Sequence, residues 1–140
     1  MFEIPWVSPL ELTMVLRLIV AAILGGIVGM ERGSGDRPAG FRTHILVCVG
    51  SALFMLVSIY GFDDIAPVTT ALEDDIGTRR DTARIAAQVV SGIGFLGAGT
   101  IFVRKQVING LTTAAGLWAT AGIGMAIGAG TDVAIDAADV

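Results

Sequence analysis

Asp81-Thr82-Ala83-Arg84-Ile85-Ala86-Ala87-Gln88-Val89-Val90-Ser91-Gly92-Ile93-Gly94-Phe95-Leu96-Gly97-Ala98-Gly99-Thr100-Ile101-Phe102-Val103 decides the fold. Residues 85–103 form a run of nineteen without a charge. At roughly 1.5 Å per residue, a helix of that length matches a bilayer core of roughly 30 Å. Arg104 and Lys105 close the run, an Asn109-Gly110 turn follows, and a second apolar run opens at Leu111 and lasts to about residue 130. The pattern predicts a glycine-rich transmembrane hairpin. Gly92-Ile93-Gly94-Phe95-Leu96-Gly97 also fits GxGxxG. The dinucleotide reading needs a βαβ unit and an acidic residue about 20 positions on. After Gly97 the next acidic residue is Asp132, so these glycines are read as helix-packing positions instead. Lipid gives helices no hydrophobic reason to associate, so small residues that let backbones approach dominate their interfaces.

Outward from this stretch, the rest of the chain has the same character. Its 140 residues are 54% apolar, include 19 glycines, and have a mean hydropathy of +0.76. This is one domain by length and a membrane domain by composition. A net charge of −4 gives no electrostatic basis for nucleic-acid binding. One cysteine, Cys48, and one histidine, His44, exclude an intrachain disulfide and argue against a zinc site. No catalytic triad or dyad assembles from this inventory, so no catalytic residue, metal or cofactor is expected.

The first helix is expected at 10–30. Thr13, Arg17, Ala21, Gly25 and Gly29 recur there every fourth residue and put a small, polar stripe on one face. Arg17 either snorkels to the nearer interface or pairs inside the bundle. Trp6 fits an interfacial anchor. No basic region precedes the first apolar run, which argues against a cleaved signal peptide. A polar loop over 31–42 follows, and Gly33, Gly35 and Pro38 stop it from continuing the helix. The second helix is expected at 43–60. The acidic stretch over 61–80, with Asp63, Asp64, Glu73, Asp74 and Asp75, matches no calcium-loop spacing and reads as a solvated loop. The third and fourth helices are expected at 84–103 and 111–130. In the fourth, Gly116, Thr120, Gly124 and Gly128 form a spine expected to face Gly92, Gly94, Gly97 and Gly99 of the third.

Basic residues favour the cytoplasmic side of a membrane. Arg32, Arg37 and Arg42 lie in the first loop, and Arg104 and Lys105 in the third. These two loops are therefore expected inside and the N-terminus outside, against the dissent of Arg79, Arg80 and Arg84.

Five blocks, in order, carry a resemblance to a known family. They are Gly29-x-Glu31-Arg32, Ala39-Gly40-Phe41-Arg42-Thr43-His44, Asp81-x-x-Arg84-Ile85-Ala86-Ala87-Gln88, Ser91-Gly92-Ile93-Gly94-Phe95-Leu96-Gly97-Ala98-Gly99, and Gly110-Leu111-Thr112-Thr113-Ala114-Ala115. Together they resemble the MgtC/SapB family of bacterial inner-membrane proteins. The resemblance implies an all-α integral membrane protein tied to growth in low magnesium and, in pathogens, to survival inside host cells. It implies a regulatory role through membrane partners, with the F-type ATP synthase as one candidate and a second copy of the chain as another. Family members commonly carry a further helix or a soluble C-terminal domain. This sequence has neither, so a single transmembrane domain over 1–140 is expected.

A magnesium channel or transporter is the competing reading. Rings of carboxylates would be expected along such a path, but Glu11 and Glu31 sit at helix ends, so regulation is preferred. The candidate functional residues are Glu31, Arg32, Arg42, Thr43, Asp81, Arg84, Gln88, Ser91, Thr112 and Thr113. Arg84, Gln88 and Ser91 share one helical face, which is expected to pack against the first or fourth helix. The candidate packing glycines are Gly25, Gly29, Gly92, Gly94, Gly97, Gly99, Gly116, Gly124 and Gly128.

Overall fold

A computed structural model describes residues 8–33, 37–61, 82–104 and 107–130. Within these lie α1 (Pro9–Gly33), α2 (Phe41–Tyr60), α3 (Thr82–Thr100), β1 (Phe102–Arg104), β2 (Val107–Asn109) and α4 (Leu111–Ala129). Trp6, Asp81, Lys105, the acidic residues of 62–80 and the segment after Gly130 lie outside the described residues.

Local chemistry sets the helix ends. Ser8 and Glu11 open α1 as a capping box: Ser8 N–H donates to Glu11 Oε2 at 2.7 Å, and Glu11 N–H donates to Ser8 Oγ at 3.3 Å. Pro9 takes the first helical position, where a missing N–H costs nothing. Gly130 ends α4 at φ 64°, its N–H bonded to the Ala126 and Ile127 carbonyls.

The third helix is shorter than the apolar run implies. It stops at Thr100, whose hydroxyl donates to the Gly97 carbonyl at 2.7 Å. Residues 102–104 pair antiparallel with 107–109, with Val103 opposite Ile108. The expected simple turn is therefore a short β-hairpin. Gly110 makes the return possible: it sits at φ 90°, against the Thr100 carbonyl, where a side chain has neither the conformation nor the room.

The helices alternate in direction. Gly25 of α1 lies against His44, Ile45 and Cys48, and Gly29 lies against Phe41, so α1 and α2 are antiparallel. Along α4, Gly116, Gly124 and Gly128 meet His44, Cys48 with Ser51, and Ala52 with Met55 in turn, so α4 runs parallel to α2. Gly97 meets Ala114, and Ile93 clusters with Leu117, which places α3 antiparallel to α4. Helix α2 is thus clasped between glycines of α1 and α4. This corrects the expectation of facing glycine spines in the α3–α4 hairpin. The spine of α4 faces α2, and Gly92, Gly94 and Gly99 of α3 have no neighbouring atom within 4 Å of where a β-carbon would stand.

The burial pattern is that of a membrane protein. Ala21, Cys48 and Ala52 form one buried cluster, and Ala39, Ile93, Leu117 and Ala121 another. Ile19, Ile23, Ile27, Phe54 and Phe95 are exposed. Small residues inside and large apolar residues outside are what lipid selects, because backbones must approach closely while the outer face meets hydrocarbon. Helices α1, α2 and α4 are long and apolar enough to cross a membrane. Arg84, Gln88, four glycines and the hydroxyl residues Thr82, Ser91 and Thr100 dilute the hydropathy of α3.

Candidate functional site

The polar residues at one end of the bundle come from three helix termini. Glu31 and Arg32 close α1, Arg42 and Thr43 open α2, and Thr112 and Thr113 open α4. The fold brings all six to the same end because α1 enters that end while α2 and α4 leave it.

Their surroundings then diverge. Arg32 is largely buried, with 22% of its side chain exposed. Its Nε stands 2.8 Å from Oε2 of the mostly exposed Glu31 carboxylate, but off the line of the N–H, so Nε is buried without a hydrogen-bond partner. The second such atom is Nε2 of His44, a residue with no exposed surface. A β-carbon at Gly116 would stand 3.5 Å from His44 Nε2 and 3.8 Å from Arg32 Nε. Three helices therefore converge there: α4 contributes a glycine, α2 an imidazole and α1 a guanidinium. The other imidazole nitrogen lies 2.9 Å from the Gly40 carbonyl. A carbonyl can only accept, so Nδ1 carries the proton, and in that tautomer Nε2 carries the ring's lone pair. An acceptor and a cationic donor face one small space. That arrangement can take a water or another small group able both to donate and to accept.

The sequence does not single out His44. As a lone histidine it signalled no metal site, and nothing in the linear order places it beside Arg32 and Gly116. The one signal in the sequence is spacing: His44, Cys48 and Ser51 stand at i, i+4 and i+7, on one face of α2.

Thr113 is buried one turn before Gly116. Thr112 lines a small cavity of about 260 Å³ with Arg37, Pro38, Phe102, Asn109 and Gly110. Arg42 and Thr43 are exposed and face the opposite way, into a larger groove between α2 and α3.

Arg84, Gln88 and Ser91 are exposed, and they do not pack against α1 or α4 as expected. The contact face of α3 is Val89, Ile93 and Gly97, which pack toward Val47, Leu117 and Ala114. The polar stripe lies to one side of that face, with Gln88 reaching the α2–α3 groove. Apolar residues won the interface because Ile93 and Gly97 supply volume and close approach together.

Arg17 settles the alternative left open by its position. Its guanidinium turns into the bundle, donating to the Gly128 carbonyl at 3.0 Å and, at a long 3.5 Å, to the Tyr60 hydroxyl. It lies against Gly130 at the C-terminal end of α4, where free carbonyls and the helix dipole favour a cation. Among the described residues, no three or more His, Cys, Asp or Glu side chains come together to hold a metal ion.

Residues 18–138 match the sequence profile of the MgtC family. The chain is 56% identical over 116 residues to a protein of Escherichia coli K12 named putative magnesium transporter YhiD, covering 83% of this chain and 51% of that protein. It is 42% identical over 124 residues to an uncharacterized protein of Haemophilus influenzae, covering 88% and 50%. It is 45% identical over 116 residues to Protein MgtC of Salmonella typhimurium, covering 83% and 43%. The chain thus spans about half the length of the curated relatives it matches. No solved structure matches it.

Proposed function

Because the chain belongs to the MgtC family, we propose that it is a regulatory protein of the bacterial inner membrane, acting through contacts with other membrane proteins and tied to adaptation to low magnesium or to virulence. The observation that carries this reading is the outer face of α3. Ala87, Ser91, Gly94 and Ala98 recur at helical spacing and are all exposed, and Gly94 has no neighbour within 4 Å. The exposed face of α1, with Leu16, Ile19, Ile23 and Ile27, suits lipid. A stripe of small residues suits the close approach of another helix. The family resemblance nominates the F-type ATP synthase as a source of that helix.

The competing reading is magnesium transport, favoured by the name of the 56% identical relative. Against it, Glu11 and Glu31 are the described acidic residues of the helices. Both are exposed and both sit at helix ends. Magnesium dehydrates reluctantly and prefers carboxylates and retained waters, so a path through these spans would lack its usual ligands.

Purification from native membranes in mild detergent, followed by identification of bound proteins, tests the regulatory reading. The parent chain is expected to retain a membrane partner that Gly94→Leu loses, with both melting alike. Proteoliposomes containing the purified chain are expected to take up magnesium no faster than protein-free vesicles. A saturable flux would reverse the assignment.

A further inference from the structure

Helices α2 and α3 diverge around an apolar groove of about 810 Å³. This lies within the roughly 300–1,000 Å³ of ligand sites. Gly50 and Gly92 line its opposite walls, and neither has an atom within 4 Å of a β-carbon position. The helices are antiparallel, and Arg42 with Thr43 stands at one end while Val57 and Ile85 stand at the other. From Thr43 to Val57 the groove runs on the order of 20 Å along α2. That exceeds the depth of one leaflet, roughly half of a 30 Å hydrocarbon core.

We propose that this groove binds a phospholipid with an anionic headgroup, its acyl chain lying between Gly50 and Gly92 and its phosphate held by Arg42 and Thr43. Three features select that occupant. The walls are mostly apolar over a length that exceeds one leaflet, as an acyl chain needs, with Ser51 and Gln88 the polar exceptions. The paired glycines widen the groove without offering hydrogen bonds. Among the described residues, the one guanidinium that lines the groove stands at the mouth, at the first turn of α2, where the helix has no acidic residue and its dipole is positive. A basic group at the membrane face attracts an anionic lipid by roughly fivefold in affinity. The site is separate from the α3 face proposed for a protein partner, which points away from the groove.

Native mass spectrometry of the purified chain with added lipid tests the assignment, using phosphatidylglycerol and phosphatidylcholine of matched acyl chains. The parent is expected to bind both, with about a fivefold preference for phosphatidylglycerol. Arg42→Gln is expected to level that preference, weakening phosphatidylglycerol binding more than phosphatidylcholine binding, since both carry the phosphate but only one keeps a net negative charge. An unaltered preference in Arg42→Gln overturns the headgroup site. Glycerol phosphate alone is expected not to compete, and competition by it would reduce the site to a phosphate site without a lipid. Gly50→Leu is expected to lose both lipids, and retention of both would overturn the groove as the chain's location. A photoreactive benzoylphenylalanine at position 54, on the groove wall, gives a reading that needs no glycine variant to fold. Adducts with acyl chains support the proposal, and crosslinks to a second copy of the chain or to another protein overturn it.

Discussion

Arg17 shows how one charged residue is made tolerable inside a membrane span. An unpaired guanidinium among lipid chains is costly. Here it meets the Gly128 carbonyl and the Tyr60 hydroxyl at the end of α4, where the last carbonyls of a helix lack intrahelical partners. Gly130 leaves room for it, since a β-carbon there would collide with the guanidinium. The cation therefore ties α1, α2 and α4 together at the end opposite His44. Arg17→Met is expected to lower stability by about 1–2 kcal/mol, with Arg17→Lys intermediate, measured as thermal unfolding in detergent. An unchanged melt in Arg17→Met would mean the bond contributes nothing. The position of Arg17 in the sequence left snorkelling and pairing equally open, because both answers suit an arginine some two turns into a helix. The partner carbonyl is over a hundred residues away in the chain.

At the scale of elements, the glycines divide into two classes that look the same in the sequence. On α1 and α4 they are contact points. A β-carbon at Gly25 would lie 2.7 Å from Cys48 Cβ and 2.9 Å from the His44 carbonyl oxygen, and one at Gly128 would lie 2.5 Å from the Ala52 carbonyl oxygen. On α3, Gly97 alone among the four candidates has a near neighbour, Ala114. Overpacking of a close contact costs about 1–3 kcal/mol. Gly25→Ala and Gly128→Ala are thus expected to melt earlier than the parent. Gly94→Ala and Gly99→Ala should melt as the parent does or later, since Ala exceeds Gly in helix propensity by up to about 1 kcal/mol. Equal melts for Gly25→Ala and Gly94→Ala would show that these contacts do not hold the bundle. Four-residue spacing identified the glycine faces of α1 and α4, because that spacing puts residues on one side of a helix. It could not say which neighbour each face meets, and it misassigned the α4 spine to α3.

At the scale of the whole molecule, the alternating helices place the termini of α1 and α2 near Arg32 and Arg42 at one end, and Arg17 with Tyr60 at the other. Loop charge predicts that the first of these ends is cytoplasmic. Single cysteines at Ser34 and at Thr70, in a Cys48→Ala background, are expected to react with an impermeant reagent from opposite sides of the membrane. Labelling of both from the periplasmic side would contradict a chain that crosses between them. That the chain is helical and membranous, and where its helices lie to within a few residues, is legible in the linear order, because hydrophobic length and glycine and proline breaks are local properties. The linear order also carried the family, through blocks of residues in fixed order. Partnership between helices is settled only by packing. Helix α2, not the α3–α4 hairpin, is the element gripped by glycines. His44 and Arg32 meet over Gly116, while Arg42, ten residues from Arg32, turns into a different groove. The polar face of α3 stays outside because Ile93 and Gly97 make the better contact. Each of these outcomes depends on which surfaces fit together once the helices are formed. Lipid is as apolar as the side chains it replaces, so fit between faces selects the neighbours, and that fit is a property of pairs of helices that no single stretch of sequence contains.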